Sequence, residues 1–179
     1  MDITFSNPDS FKVVTKQLSI GLGQHVKSKV DLRLLNQESP SSHDEEVVFG
    51  GPGEYEVKGC MVTGVSSEGK DATINTAYQV TVDDLRLGYL GDLAKPLTDQ
   101  QLEQLGAIDV LIISLENMKI DEIAKQISTI EPSIVIPMSF DEKSLAELAK
   151  DMGAKVEPVE KLKVTKKELP QDITLTVLQ

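Results

Sequence analysis

Cysteine is almost missing from this chain: its 179 residues include one, Cys60, which has no partner to pair with. A disulfide framework is therefore excluded, and together with the lack of a cationic, apolar, cleavable N-terminal stretch this predicts a cytoplasmic protein. There is no tryptophan, and there are three tyrosines and four phenylalanines, too few rings for a base-stacking platform or a broad aromatic protein interface. No apolar run approaches the roughly 20 residues needed to span a membrane. Positive charge is also short. The 18 Lys and Arg stand against 29 Asp and Glu, a formal net of -11, which repels phosphate backbones and argues against nucleic acid as a partner. Lys161, Lys163, Lys166 and Lys167 do cluster, but no arginine or aromatic lies among them. They read as a solvated strand edge guarded against aggregation.

What is present is the make-up of a soluble globular protein, 40% hydrophobic and 26% charged, at a length where folding buries roughly 70% of the open chain's surface. With no repeat and no low-complexity linker, residues 1–179 are expected to form a single domain. The first half reads as short strands: Ile3–Phe5, a turn at Asn7-Pro8-Asp9, then Phe11–Thr15 and Leu18–Leu22, expected to be antiparallel. Leu32–Leu35 runs into the polar stretch Asn36 to Ser42, a loop at a strand end. Strands follow at Val47–Phe49, Glu54–Val57, Cys60–Val65, Thr76–Val82 and Leu85–Leu90, with Asp83-Asp84 as a hairpin tip.

The period then changes. Thr98 and Gln101 form a capping-box pattern before Leu102 and Leu105, with Gly106 as the stop. Asp109–Ile113 and Ser133–Pro137 are apolar strands, and between them Asp121 is expected to cap a helix burying Ile123, Ala124, Ile127 and Ile130. Such unalternating strands joined by a helix suit a parallel β-α-β unit covered on both faces. Asp141 opens a third helix that ends at Gly153, and Ile173–Val177 is a final strand. Strands first and a β-α-β-α-β tail imply two mixed sheets face to face with helices outside; a three-layer α/β sandwich would fit as well.

Four motifs choose between these. Residues Gly51-Pro52-Gly53-Glu54-Tyr55-Glu56-Val57-Lys58-Gly59, Asn75-Thr76-Ala77-Tyr78, Leu90-Gly91-Asp92-Leu93 and Val135-Ile136-Pro137-Met138, in that order, resemble the metallo-β-lactamase-like hydrolase superfamily. The nearest likeness is to the small prokaryotic Zn-dependent hydrolases of the β-lactamase fold. The likeness is densest over residues 50–138, continues through Glu157-Pro158 and Lys161-Leu162-Lys163, and thins before residue 45. It implies an α/β fold, a four-layer α/β/β/α sandwich of two mixed sheets.

In that family the resemblance implies one or two metal ions, held by an H-x-H-x-D-H run at a strand end, a further histidine, the Asp of a Gly-Asp motif and a last histidine after Ile-Pro-Met. Clustered imidazoles and carboxylates hold zinc and leave a position for water, whose pKa falls to about 7 so that hydroxide can attack. The chain departs from this at nearly every position. Gln37 and Ser39 stand for the histidine pair, Ser41 for the Asp, Ser42 for the third His, and Ser139, followed by Phe140, for the last His. Tyr89 stands where many relatives place a His two residues before the glycine, and the usual Asp-Pro of the first strands is represented by Gly21-Leu22-Gly23. Asp92 alone survives, as a vestigial ligand or as a residue that caps its loop.

No metal, no cofactor and no catalytic residue are expected from this set. The alternative donors are His43 and Asp44, one position past the counterpart loop, with Asp92, Glu38 and His25; they would support a remodelled zinc site, against the plainer account of His25 and His43 as exposed loop residues. Cys60, on an apolar alternating strand, reads as a small core residue, and Ser39, Ser41 and Ser42 lack the strained elbow of a serine nucleophile. The Gly51–Gly59 run is architectural, its glycines and proline making turns and its alternation an edge strand. Neither a phosphate-cradling loop nor a dinucleotide fingerprint occurs. Two functions follow: a non-catalytic binding or assembly module that takes a protein or small molecule, with homo-oligomerisation left open, or a divergent metal-dependent hydrolase.

Overall fold

A computed structural model describes residues 1–6, 9–37 and 46–179. Two mixed sheets pack face to face. The first contains β1 (Asp2–Ser6), β2 (Ser10–Val14), β3 (Ser19–Leu22), β4 (Leu32–Leu34), β5 (Val47–Phe49) and a late two-residue strand, β13 (Leu162–Lys163), in the order β13-β1-β2-β3-β4-β5. The second contains β6 (Gly53–Val57), β7 (Cys60–Glu68), β8 (Ile74–Val82), β9 (Leu85–Tyr89), β10 (Val110–Ser114), β11 (Ile134–Met138), β12 (Val156–Val159) and β14 (Thr174–Leu178), in the order β12-β14-β11-β10-β9-β8-β7-β6.

Strand direction follows loop length. β1, β2 and β3 are antiparallel neighbours joined by short turns, as expected. The two-residue tip Asp83-Asp84, with φ of 53° and 62°, returns β8 onto β9, the left-handed pair that a right-twisted hairpin requires. From β9 onward the sheet is parallel, β9 to β10 to β11 to β14 to β12, because each connection is a crossover. Every residue of β10 and β11 is buried, which is why neither alternates.

Three helices, α1 (Asp99–Leu105), α2 (Ile120–Ile130) and α3 (Glu142–Met152), lie in the connections from β9 to β12, and the connection from β12 to β14 passes through β13 of the other sheet. Thr98 and Gln101 close the predicted capping box on α1, and Asp141 accepts the Ser144 N–H at 2.7 Å to start α3. α2 starts earlier than its sequence suggests. Its N-cap is Lys119, whose N–H meets the Glu122 carboxylate at 3.3 Å, so Asp121 falls inside the first turn. Leu105, Ile123, Ile127 and Leu148 from the three helices share one cluster with Leu90, Leu111, Ile113 and Val135 of the eight-stranded sheet. A second cluster, with Ile3, Phe11, Ile20 and Leu34 against Val62, Val80, Leu87 and Ile112, fills the space between the sheets. Each such side chain contributes about 1.5–3 kcal/mol on leaving water. The result is the expected sandwich of two mixed sheets, with its α-helices gathered on the outer face of the larger one; among the described residues no α-helix lies over the smaller.

Two elements escape the sequence reading. β12 holds Glu157 and Pro158 and is largely exposed at the sheet edge, where proline's missing N–H costs no ladder bond. β13 pairs with β1 through Leu162 and Lys163, so the lysine cluster does border a strand edge. Cys60 is fully buried between the sheets, and burial raises its thiol pKa to about 11, the inert core residue expected. The Gly51–Gly59 run forms the hairpin strand β6 at the other edge, with Tyr55 stacked on Phe49 at 3.9 Å and 11° and its hydroxyl donated to the carbonyls of Gly51 and Pro52. That contact joins the end of one sheet to the start of the next.

Candidate functional site

The two sheets part at one end, where β3, β4, β9 and β11 finish. The chain leaves each strand there, and the backbone beyond it makes the walls of a cavity of about 180 Å³ lined by residues that include Asp9, Gly23, His25, Gln37, Tyr89 and Asp92. Ligands in open parallel sheets favour this carboxyl-end position.

One wall is fixed across the sheets by Asn36. Its side chain donates to the Thr76 carbonyl at 2.7 Å, and its own carbonyl accepts the Thr76 N–H at 2.7 Å. Tyr78, fully buried, donates its hydroxyl to the Leu35 carbonyl at 2.9 Å. Asn75, also fully buried, donates to the Leu90 carbonyl at 2.9 Å and to Ser67 Oγ at 2.8 Å, which orients the Gly91-Asp92 turn. The Asn75-Thr76-Ala77-Tyr78 motif is thus the bracket that holds the cavity wall.

Asp92 stands half-buried on this wall, and among the described residues it makes no hydrogen bond and no ion pair. The loop-capping role considered for it finds no support. Burial, then the carboxylates of Asp9 and Glu116, pushes its pKa above the usual carboxylate value, opposed only by Lys70. Gln37 lines the same cavity and donates to the Thr73 hydroxyl at 3.4 Å. Tyr89 is 3% exposed; its phenol is held far above its ordinary pKa by burial and by the negative charge of Asp9 and Asp92, so it stays a proton donor.

The opposite wall holds a pair the sequence reading missed. His25 Nδ1 lies 2.9 Å from Asp9 Oδ1, and the buried Ser10 hydroxyl donates to the same oxygen at 3.1 Å while accepting the His25 N–H at 3.0 Å. The carboxylate accepts, so Nδ1 carries the proton. The His25 side chain is 51% exposed, in keeping with a loop histidine, but it is tethered. The available signal was the expected antiparallel pairing of β2 with β3, which brings Asp9, just before β2, level with the residues just after β3. Met138 lines the cavity and the next residue, Ser139, takes a left-handed φ of 50°; Phe140 is exposed and does not fill the corner.

Of the positions singled out in the sequence, Gln37 and Asp92 meet in this cavity and Ser139 adjoins it. Glu38, Ser39, Ser41, Ser42, His43 and Asp44 lie outside the described residues. A hydrolytic metal needs three or more good donors around an open position. Among the described residues no group of three His, Cys, Asp or Glu side chains is placed to hold an ion, and the amide of Gln37 and the phenol of Tyr89 are poor substitutes. The described residues therefore do not fit the metal centre of the family.

Comparison with known proteins bears on the same corner. The family described as "Beta-lactamase superfamily domain" matches residues 10–139. No curated protein matches. Among solved structures, a protein from Thermotoga maritima assigned to the Zn-dependent hydrolases of the metallo-β-lactamase superfamily shares 20% identity over 99% of both chains, with a TM-score of 0.84. A protein from Parabacteroides distasonis assigned as a metal-dependent hydrolase shares 16% over 99% of this chain and 93% of its own, TM-score 0.69. The metallo-β-lactamase fold protein YhfI from Bacillus subtilis shares 9% over 99% and 96%, TM-score 0.64. At these identities the likeness is one of fold.

Proposed function

This chain belongs to the β-lactamase superfamily domain family, and from that premise we propose that it is a non-catalytic binding module: it keeps the family's sandwich and cleft and has given up the hydrolase chemistry of its relatives. The observation that carries this reading is that Gln37 and Asp92 both line one cavity. The cleft of the fold is there, but an amide stands where an imidazole is needed. An amide oxygen binds zinc weakly, and without enough strong donors no bound water is acidified to attack a substrate.

The walls can still hold a molecule. They offer carboxylates, a phenol, an imidazole and amides within a concave space, fixed by the Asn36–Thr76 and Tyr78–Leu35 bonds. A rigid wall loses little freedom on binding. The net charge of -11 supports a small molecule or a protein as the partner and disfavours nucleic acid. Among the described residues no helix is long and apolar enough to cross a membrane, and the lone Cys60 accords with a reducing cytoplasm.

Elemental analysis tests the reading. Protein purified after growth with zinc, manganese or iron should retain less than about a tenth of an equivalent of any of them, since effective hydrolase sites hold the ion near stoichiometry. Stoichiometric metal that disappears in Asp92→Ala would establish a remodelled hydrolase centre and overturn the module.

A further inference from the structure

Two polar groups of the cavity have no partner among the described residues. The Tyr89 hydroxyl belongs to a side chain 97% buried by its 3% exposure. It lies 3.2 Å from the position a Cβ on Gly23 would take. Both residues line the cavity, and no hydrogen bond to that hydroxyl is formed. The Asp92 carboxylate is the second. A half-buried carboxylate with no hydrogen-bond donor and no ion pair, offset only by the exposed Lys70, is costly, and folds keep such groups where something else completes them.

The remaining charges say what that is. His25 is already committed to Asp9 at 2.9 Å. Lys70, 62% exposed, reaches Glu116 at 4.0 Å instead of the cavity. No arginine lines the space. Whatever the protonation of His25, one negative charge on Asp92 is left over, and an anionic ligand would meet the Asp9 carboxylate in the lining and feel the negative charge of Glu116 near Asp92. A metal ion lacks donors. We infer that the corner takes a small organic cation, an ammonium compound that also bears a hydroxyl: the ammonium group pairs with Asp92, and the hydroxyl accepts from Tyr89. The cavity, about 180 Å³, admits a small polar group, so the ligand is an amino alcohol or the amino-alcohol end of a larger molecule.

This inference rests on the binding-module reading and names its ligand class. The full chain is titrated with three small two-carbon probes: 2-aminoethanol, ethylene glycol and glycolate. Ring signals of the three tyrosines are followed by NMR. The expected result is a saturable shift of the Tyr89 ring with 2-aminoethanol, none with glycolate and a much weaker one with ethylene glycol, while the Tyr55 ring stays still. Asp92→Asn, similar in shape, should weaken 2-aminoethanol by about tenfold or more, and Tyr89→Phe by a few-fold. Absence of a saturable shift, an equal response to ethylene glycol, or unchanged affinity in Asp92→Asn would each overturn it. Failure here in a metal-free protein removes the ligand class and leaves the module standing. Metal retention under elemental analysis removes the module itself.

Discussion

At the scale of single residues, the cavity wall depends on the absence of a side chain at Gly91. Its φ is +63°, and a Cβ there would lie 2.2 Å from Asn36 Cγ, 2.3 Å from Asn36 Nδ2 and 2.7 Å from Asn75 Oδ1. Asn36 ties the two sheets through Thr76, and Asn75 holds the Leu90 carbonyl within the larger sheet, so neither amide can step aside without breaking its bond. Gly59 is the natural control, with φ +76° and nothing within 4 Å of the same position. Gly91→Ala is therefore expected to cost about 3 kcal/mol, from strain and overpacking together, and Gly59→Ala only about 1 kcal/mol, the left-handed penalty alone. Urea denaturation of both variants reads the difference; equal costs would show that the wall yields. Non-glycine residues around the cleft are already in this strained region. Ser139 has φ of 50°, and Asp71 and Ala72 have φ of 54° and 58° in the turn whose Thr73 hydroxyl meets Gln37. Strain of this kind persists where the surrounding structure holds a site in shape.

At the scale of elements, the opposite wall is held by Arg33 of β4. It is 2% exposed and lies bidentate on Glu46, Nε at 2.7 Å and Nη2 at 3.2 Å, while donating to the carbonyls of Gly23 and Val26 at 3.2 and 3.1 Å. The Val30 N–H adds a bond to Glu46 at 3.0 Å. One guanidinium thus fastens the segment that carries Gln24 and His25 to the start of β5. Truncating one member of a buried pair strands the other, so Arg33→Met should destabilise by about 3–5 kcal/mol and release the His25 ring from Asp9. Chemical denaturation with the histidine ring signals reads both; a cost under about 1 kcal/mol would mean the segment is held by something else. None of this is readable from the sequence, because Arg33 looks like an outward residue on a three-residue strand. The features that were legible are local: the Thr98–Gln101 box, the Asp141 cap, Gly153, the unalternating β10 and β11, and the Asp83-Asp84 tip. The Gly91-Asp92 motif and Gln37 line one cavity, and it is the resemblance that supplied their order along the fold. Asp9 and His25 are not paired by local pattern, since 16 residues and the β2–β3 reversal separate them. β12 was missed because an exposed edge strand holding Glu157 and Pro158 has no apolar alternation to see.

At the scale of the whole molecule, the end opposite the cleft is closed by one carboxylate. Asp109, at the start of β10, accepts Arg86 Nη2 at 2.6 Å, Arg86 Nε at 3.1 Å, the Arg86 N–H at 3.0 Å and Lys166 Nζ at 2.8 Å. Its backbone pairs with Arg86, Ser133 and Ile134. It therefore ties β9, β10 and β11 of one sheet to the tail that follows β13 of the other. Burial alone would raise its pKa, but the bonds from Arg86 and Lys166 outweigh that and lower it from 3.8 to about 2. A carboxyl whose folded pKa lies below its unfolded one stabilises the fold above the unfolded value, and loses that contribution as pH falls towards the folded one. Asp31, held low by Lys58 and Ser19, acts in the same direction, whereas Asp92, raised by burial, acts in the opposite one. Since Arg86 and Lys166 are partly exposed, with side chains 37% and 44% accessible, solvent screening trims the Asp109 contribution to about 1–2 kcal/mol. Asp109→Asn should therefore be less stable than the parent by that amount at neutral pH, and the two denaturation curves should converge between about pH 4 and pH 2. A difference that stays constant across this window would mean that the loss comes from packing at the closed end and that the Asp109 charge contributes nothing.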